Sequence, residues 1–208
     1  MAKPLPTPVR NHLAGLRILL LFTLLCGLAY PLVVTGISHV AFSRQAGGSL
    51  VRVDGRVVGS SLIGQDFTIK GPNGKTVRPD PKLFQSRPSA AGAQGYDALA
   101  SGATNLGPNS VVLAGDYTRL RQEIASFNGV RPSQVPPDAI TASGSGLDPD
   151  ISPQYASLQV DRVAKARGVS PAAVRALVRQ YTQGRTAGFL GEPRVNVLDL
   201  NIALTRVG

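Results

Sequence analysis

Hydrophobic positions fall into two regimes along this chain: one unbroken run near the amino terminus, then short periodic stripes separated by polar loops. From Ile18 to Phe42 the stretch ILLLFTLLCGLAYPLVVTGISHVAF carries no charge and lies between Arg17 and Arg44. A helix needs about 20 mostly apolar residues to cross a hydrocarbon core, and Ile18 to Ile37 supplies them before Ser38 and His39. The pattern predicts a transmembrane helix over 18–42. A secretory leader has an apolar core of only about 7 to 15 residues followed by a small-residue cleavage site, so the longer run predicts a retained anchor.

Inside this run Pro31 removes a backbone donor, which predicts a kink and a carbonyl that needs another partner. Gly27, Ala29 and Gly36 leave shallow places where a second helix can pack closely; an ordinary anchor with a harmless proline fits the same residues. Lys3, Arg10 and Arg17 precede the run with no acid among them, and basic flanks favour the cytoplasmic side. Arg44, Arg52 and Arg56 follow it, but long domains translocate largely regardless of charge. The expected class is therefore a membrane-anchored α/β chain. Residues 1–17 form a cytoplasmic tail, and residues 43–208 form a single mixed α+β domain outside the membrane.

Within the domain, Gly47 to Ser49 reads as a linker and Leu50 to Val58 as a hairpin turning at Asp54-Gly55, a pair that tolerates positive φ at both positions. Ser60 to Gln65 is a second short apolar run, and Gly71 to Pro81 reads as loop. Phe84 to Gly92 and Ser101 to Ser110, with Tyr96 between them, are rich in small and polar residues. Loops this long inside one domain are uncommon unless they bind something. Arg87, Asn105 and Asn109 are their candidate binding groups. A helix is predicted from Asp116, with Leu120, Ile124 and Phe127 on one face. Ser152-Pro153 and Ser170-Pro171 each read as a cap followed by a first helical residue, and Gly168 and Gly184 as the ends of those two helices. Val174, Leu177, Val178 and Tyr181 form a core stripe, with Arg175 and Arg179 facing outward. Gly188 to Pro193 is a turn, Val195 to Leu198 a strand, and a short helix runs through Leu204.

Composition narrows the chemistry. The net charge is +10; all 12 acidic residues and 19 of the 22 basic ones follow the apolar run, which leaves +7 there. The densest basic stretch, Lys70 to Arg87, has Asp66 and Asp80 nearby and no interleaved aromatic platform. Anionic lipid or an acidic partner therefore suits it better than nucleic acid. The single cysteine, Cys26, and both histidines, His12 and His39, lie in the tail or anchor. The domain accordingly has no disulfide, no Ser/His/Asp triad, no Cys/His pair and no His-based zinc site.

Three local motifs invite sharper readings. GPNGKT at Gly71 to Thr76 resembles the end of a phosphate-binding loop, but Ile69 stands where the motif needs its first glycine and Pro72 removes an amide, so a surface turn is the better reading. Ser143 and Ser145 in SGSG lack the flanking glycines and the base of a nucleophile elbow. Asp148 and Asp150 form a carboxylate pair that caps a turn or lies in solvent, or binds a hard cation.

Five stretches, GSSLIGQ, FQSRPSAAG, SGATNLGPNS, TASGSGLDPDISP and GFLGEPRVNVLDLNIAL, resemble in order those of the C subunit of the Kdp potassium-transporting P-type ATPase. Ala103 stands where a second glycine is expected, and Asp150 where another polar residue is frequent. The likeness runs from the anchor to about Leu204. It implies a single-pass accessory subunit of the bacterial plasma membrane, needed for assembly and without catalysis or a cofactor of its own. Its partners would be a channel-like potassium-binding subunit, a catalytic ATPase subunit and a small single-helix subunit, with membrane lipid around the anchor. It also implies a catalytic chaperone that raises ATP affinity. A domain outside the cell cannot touch cytoplasmic ATP, so such an effect would be reciprocal coupling through the catalytic subunit. The expected interface residues are Pro31, Arg87, Asn105, Asn109, Ser143, Ser145 and Asp148, and alanine at Arg87 or Asn105 is expected to loosen the assembly. The rival reading is a stand-alone, membrane-anchored outward binding module or enzyme of the cell envelope. The missing His and Cys and the lack of internal repeats disfavour it.

Overall fold

A computed structural model of the chain describes residues 6–70 and 76–207. The chain divides into two compact units, residues 1–49 and 50–208. The phosphate-loop-like stretch Gly71 to Lys75 lies outside the described residues.

The first unit contains a helix, α1 (Thr7–Ala41), long and apolar enough to cross a membrane and with no buried side chain, followed by a single helical turn at Ser43–Ala46. It begins well before Arg17, so most of the segment expected as a tail is helical. Pro8 occupies the first turn, where no amide donor is needed. An apolar run marks the bilayer-compatible part of a helix and not its ends. Pro31 is accommodated by a π turn over Leu25–Ala29, in which the Tyr30 N–H donates to the Leu25 carbonyl. This widened turn is where the helix absorbs the proline's missing donor, and π bulges and prolines are recognised sites of helix bending.

In the second unit, β1 (Leu50–Val53) and β2 (Arg56–Ser60) form the expected antiparallel hairpin, with φ of 49° at Asp54 and 77° at Gly55. Strands β3 (Thr68–Lys70) and β4 (Thr76–Pro79) pair antiparallel. Helix α2 (Val111–Asn128) starts five residues before Asp116, because the Ser110 hydroxyl accepts the Leu113 N–H at 3.3 Å and caps it. Its first turn exposes Val111 and Val112, so the buried-face period that reveals a helix begins only later. After a short α3 (Pro137–Ile140) come β5 (Asp150–Ile151), α4 (Pro153–Arg167), α5 (Pro171–Tyr181), β6 (Thr182–Gln183), β7 (Arg194–Asn196) and α6 (Val197–Leu204).

Ser152 and Ser170 cap α4 and α5 as expected, accepting from Tyr155 and Ala173, and Gly168 ends α4 with φ of 70°. Helix α5 stops before Gly184, since Thr182 and Gln183 leave it to pair with β7. The last strand is likewise shorter than expected: the Asn196 side chain accepts the Asp199 N–H at 3.1 Å and starts α6 at Val197.

Strands β5 and β6 flank β7, both antiparallel to it. The core lies among this small sheet, α4, α5 and α6. It centres on Val160, Val163, Val174, Val195, Leu200 and Leu204, each without solvent exposure. Burial of each such side chain contributes about 1.5–3 kcal/mol before entropy is counted. The α5 stripe is as expected, with Val174 and Val178 buried, Leu177 and Tyr181 half-buried, and Arg175 and Arg179 outside.

Two polar clasps tie the long loops to this core. The buried Asn201 side chain accepts the Phe84 N–H at 2.8 Å and donates to the Phe84 carbonyl at 3.0 Å, which seats the Phe84 ring inside. Arg162, almost fully buried, donates to the carbonyls of Pro81 (2.6 Å) and Leu83 (3.0 Å) and to the side chains of Asn128 and Gln159. Its guanidinium also lies 4.5 Å from the centroid of the Phe127 ring. Burial pushes its pKa down to about 10, which leaves it charged at neutral pH.

Candidate partner-binding platform

The motif stretches, distant in sequence, meet at one place. Gly64 donates its N–H to the Leu147 carbonyl at 2.8 Å, and Asn196 donates to the Ser61 carbonyl at 2.9 Å. Ser89 donates to the Gly146 carbonyl at 2.6 Å while its oxygen accepts the N–H groups of Ala91 and Tyr96. Gly102 N–H and the Ser101 hydroxyl both donate to the Ser145 carbonyl, at 2.9 and 3.0 Å. Residues 84–110 and 141–149 contain no helix or strand. Their shape is set by these side-chain and backbone hydrogen bonds, which supply the partners that buried backbone groups require.

Backbone crossings explain two motif glycines. At Gly146, where φ is +68°, a Cβ would come within 2.7 Å of Ala91 N and Gly102 O. At Gly64 it would meet the Asp148 carbonyl oxygen at 2.5 Å. Neither position has room for any other residue unless a loop moves.

Arg87 is the central pin. Its Nη1 donates to Asp148 Oδ2 at 2.6 Å, and its Nε and Nη2 donate to the Thr141 carbonyl at 3.3 and 3.2 Å. The Arg87 carbonyl in turn accepts the Tyr96 hydroxyl, and burial pushes that phenol's pKa up. Asp148 also accepts the Asp150 N–H at 3.0 Å, closing a tight turn. Asp150 faces Arg194 at 3.1 Å, and burial first, then the charge of Asp148, raises its pKa. Each carboxylate of the pair thus faces a guanidinium, and no group of three metal-ligating side chains occurs among the described residues.

Of the sequence-selected residues, Arg87, Ser143, Ser145 and Asp148 come together here, with the Ser143 and Ser145 hydroxyls 3.4 Å apart. Asn105 and Asn109 lie on the exposed part of the Ser101–Ser110 stretch, Asn105 with φ of 52°. Pro31 belongs to α1, in the other unit. Sequence reading missed the pinning roles of Ser89 and Tyr96 and the clasp at Asn201. The glycines of the motifs were the available signal, since glycine in an irregular stretch marks either positive φ or close approach.

Aliphatic side chains stand exposed among polar ones on the outer surface of this region and on the adjoining first turn of α2. Leu99 is 98% exposed, Val111 87% and Val112 65%, and Leu106 is also exposed.

Comparison with known proteins bears on this geometry. Residues 12–206 match the family model described as KdpC: K+-transporting ATPase, c chain. A relative from Kineococcus radiotolerans, named potassium-transporting ATPase KdpC subunit, is 50% identical over 98% of this chain and 97% of its own. Proteins of the same name from Streptomyces avermitilis and Caulobacter vibrioides are 48% and 52% identical, covering 92% and 88% of this chain and 91% and 87% of theirs.

Proposed function

This chain belongs to the family of K+-transporting ATPase c chains (KdpC), and from that premise we propose that it is a non-catalytic accessory subunit of a potassium-transporting ATPase. Helix α1 crosses the membrane with its amino terminus in the cytoplasm, and residues 50–208 lie outside. The pinned loop platform docks the outer face of the channel-like potassium-binding subunit. Helix α1, with its π turn and Pro31, packs against membrane helices of the channel-like, catalytic or small single-helix subunits.

The observation that carries this reading is the convergence of the motif stretches on one hydrogen-bonded platform that exposes Leu99 and Leu106 beside polar side chains. A catalytic centre would need convergent acid, base or nucleophilic groups. Here the charged residues, Arg87, Asp148, Asp150 and Arg194, are paired with one another. The platform's polar groups hold loops in place, and its exposed part offers Leu99, Leu106, Asn105 and Asn109.

The subunit holds no cofactor of its own. It raises the ATP affinity of the catalytic subunit by stabilising the assembled state in which ATP binds best, and ATP reciprocally tightens the assembly.

The test is gentle affinity purification of the full chain from its native membrane. A P-type ATPase subunit and a channel-like subunit are expected to come with it, and Asn105→Ala is expected to reduce their yield. Recovery of the chain alone would contradict the reading and favour a stand-alone envelope module.

A further inference from the structure

Backbone hydrogen bonds in a membrane must close within the helix or on a neighbour, because the hydrocarbon core offers no water. The π turn of α1 leaves one group that does not close within the helix. An α-helical carbonyl accepts from the N–H four residues on, and in a π turn the donor lies five residues on. For the Cys26 carbonyl those two positions are Tyr30 and Pro31. The Tyr30 N–H donates to the Leu25 carbonyl, and proline has no N–H. The Cys26 carbonyl is therefore left without a backbone donor.

Side chains of the same helix do not replace it. Ser and Thr hydroxyls reach back three or four residues to a carbonyl, but the positions three and four after Cys26 hold Ala29 and Tyr30. Tyr30 is 67% exposed, and its stiff ring carries the hydroxyl away from the backbone. Thr23, the nearest hydroxyl on the other side, donates to the Leu19 carbonyl at 2.8 Å.

The carbonyl is both deep and open. Cys26 stands nine residues past Arg17, about 14 Å along the helix at 1.5 Å per residue, within a hydrocarbon core about 30 Å thick. Gly27 follows it and Ala29 lies close by, so little side-chain bulk surrounds it. Even a Cβ at Gly27 would meet only the Thr23 methyl, at 3.9 Å. Small residues at such a place let a second helix come close.

We propose that the Cys26 carbonyl is a docking acceptor inside the membrane. A neutral donor side chain on a membrane helix of a partner subunit, a Ser or Thr hydroxyl or an Asn or Gln amide, gives it a hydrogen bond. Neutrality follows from the depth, since a charged donor is expensive in hydrocarbon. The proposal rests on the accessory-subunit reading and names the contact that α1 makes in the assembly.

Cys26 is the single cysteine and Gly27 follows it. Labelling the full chain with carbonyl-labelled cysteine and nitrogen-labelled glycine therefore creates one doubly labelled peptide bond. Solid-state NMR filtered for that bond reads the Cys26 carbonyl carbon, whose resonance moves downfield when its oxygen accepts a hydrogen bond. The chain is measured in lipid bilayers, alone and reassembled with unlabelled partner subunits. Wild type is expected to be unbonded alone and to move downfield on assembly. Pro31→Ala, which restores the missing N–H, is expected to be downfield in both states. It should also leave the assembly about threefold faster, the average size of an interhelical hydrogen bond in lipid. A downfield resonance in wild type alone would show that water or a second copy of α1 gives the donor. Assembly without a shift would show that no donor reaches the carbonyl, and a shift on assembly that survives in Pro31→Ala would show a change of backbone conformation. Each of these three results would overturn the proposal while leaving the accessory reading standing. Failure to assemble at all would overturn the accessory reading, and the proposal with it.

Discussion

Two regions of the domain are held together in different ways. Around α4, α5 and α6, Val and Leu side chains interlock with no solvent exposure, and serine caps, an asparagine cap and a left-handed glycine set where the helices begin and end. In residues 84–110 and 141–149 there is no regular structure; Arg87, Ser89, Tyr96 and two crossing glycines hold the backbone instead. The first region supplies stability by burying apolar area. The second supplies a shaped surface by satisfying polar groups, so it can present apolar side chains outward without collapsing around them.

The junction between the regions should be the most sensitive point. Arg162→Met strands the Pro81 carbonyl and the Asn128 side-chain oxygen, and it leaves the Leu83 carbonyl and Gln159 only their bonds to Gln85. A loss of about 3 kcal/mol is expected in chemical denaturation of the full chain, near the upper end for orphaned buried groups. Asn201→Ala, which releases Phe84, is expected to cost about 2 kcal/mol by the same measurement.

Gly146→Ala sharpens the contrast. The added methyl meets two backbone atoms at positive φ, so a cost of about 2 kcal/mol is expected. It should be local: hydrogen exchange should accelerate across 84–110 while the amides of α4 and α6 stay protected. Ser152→Ala acts on the other region. It removes a cap and the serine's bond to Asp138, with an expected cost of about 1 kcal/mol and no loosening of the platform. Asn109→Ala should leave stability unchanged and weaken only the assembly.

Much of the packed region was legible in the sequence. The spacing of Val174, Leu177, Val178 and Tyr181 and the two Ser-Pro pairs are local signals, and local hydrogen bonds obey them. The Asp54-Gly55 turn was legible for the same reason. Boundaries set by tertiary pairing were not: β7 draws Thr182 and Gln183 out of α5, and the amino-terminal turn of α2 buries nothing that a periodicity would register. The platform was legible as a set of motifs but not as a surface. Arg87 and Asp148 are 61 residues apart, and no spacing rule announces that they meet. The clasps at Asn201 and Arg162 escaped notice because a polar residue within a helical pattern reads as solvent-facing until its burial is known.

The most direct measurement places a single reporter on the platform. In a Cys26→Ser background, Asn109→Cys is treated in intact cells with a membrane-impermeant thiol reagent, first with the subunit expressed alone and then with its partner subunits; Ser126→Cys on α2 serves as control. The Asn109→Cys variant should be labelled from outside when alone and protected on assembly, with the control labelled in both states. Labelling only after lysis would place the domain in the cytoplasm. Equal labelling with and without partners would remove the platform from the interface.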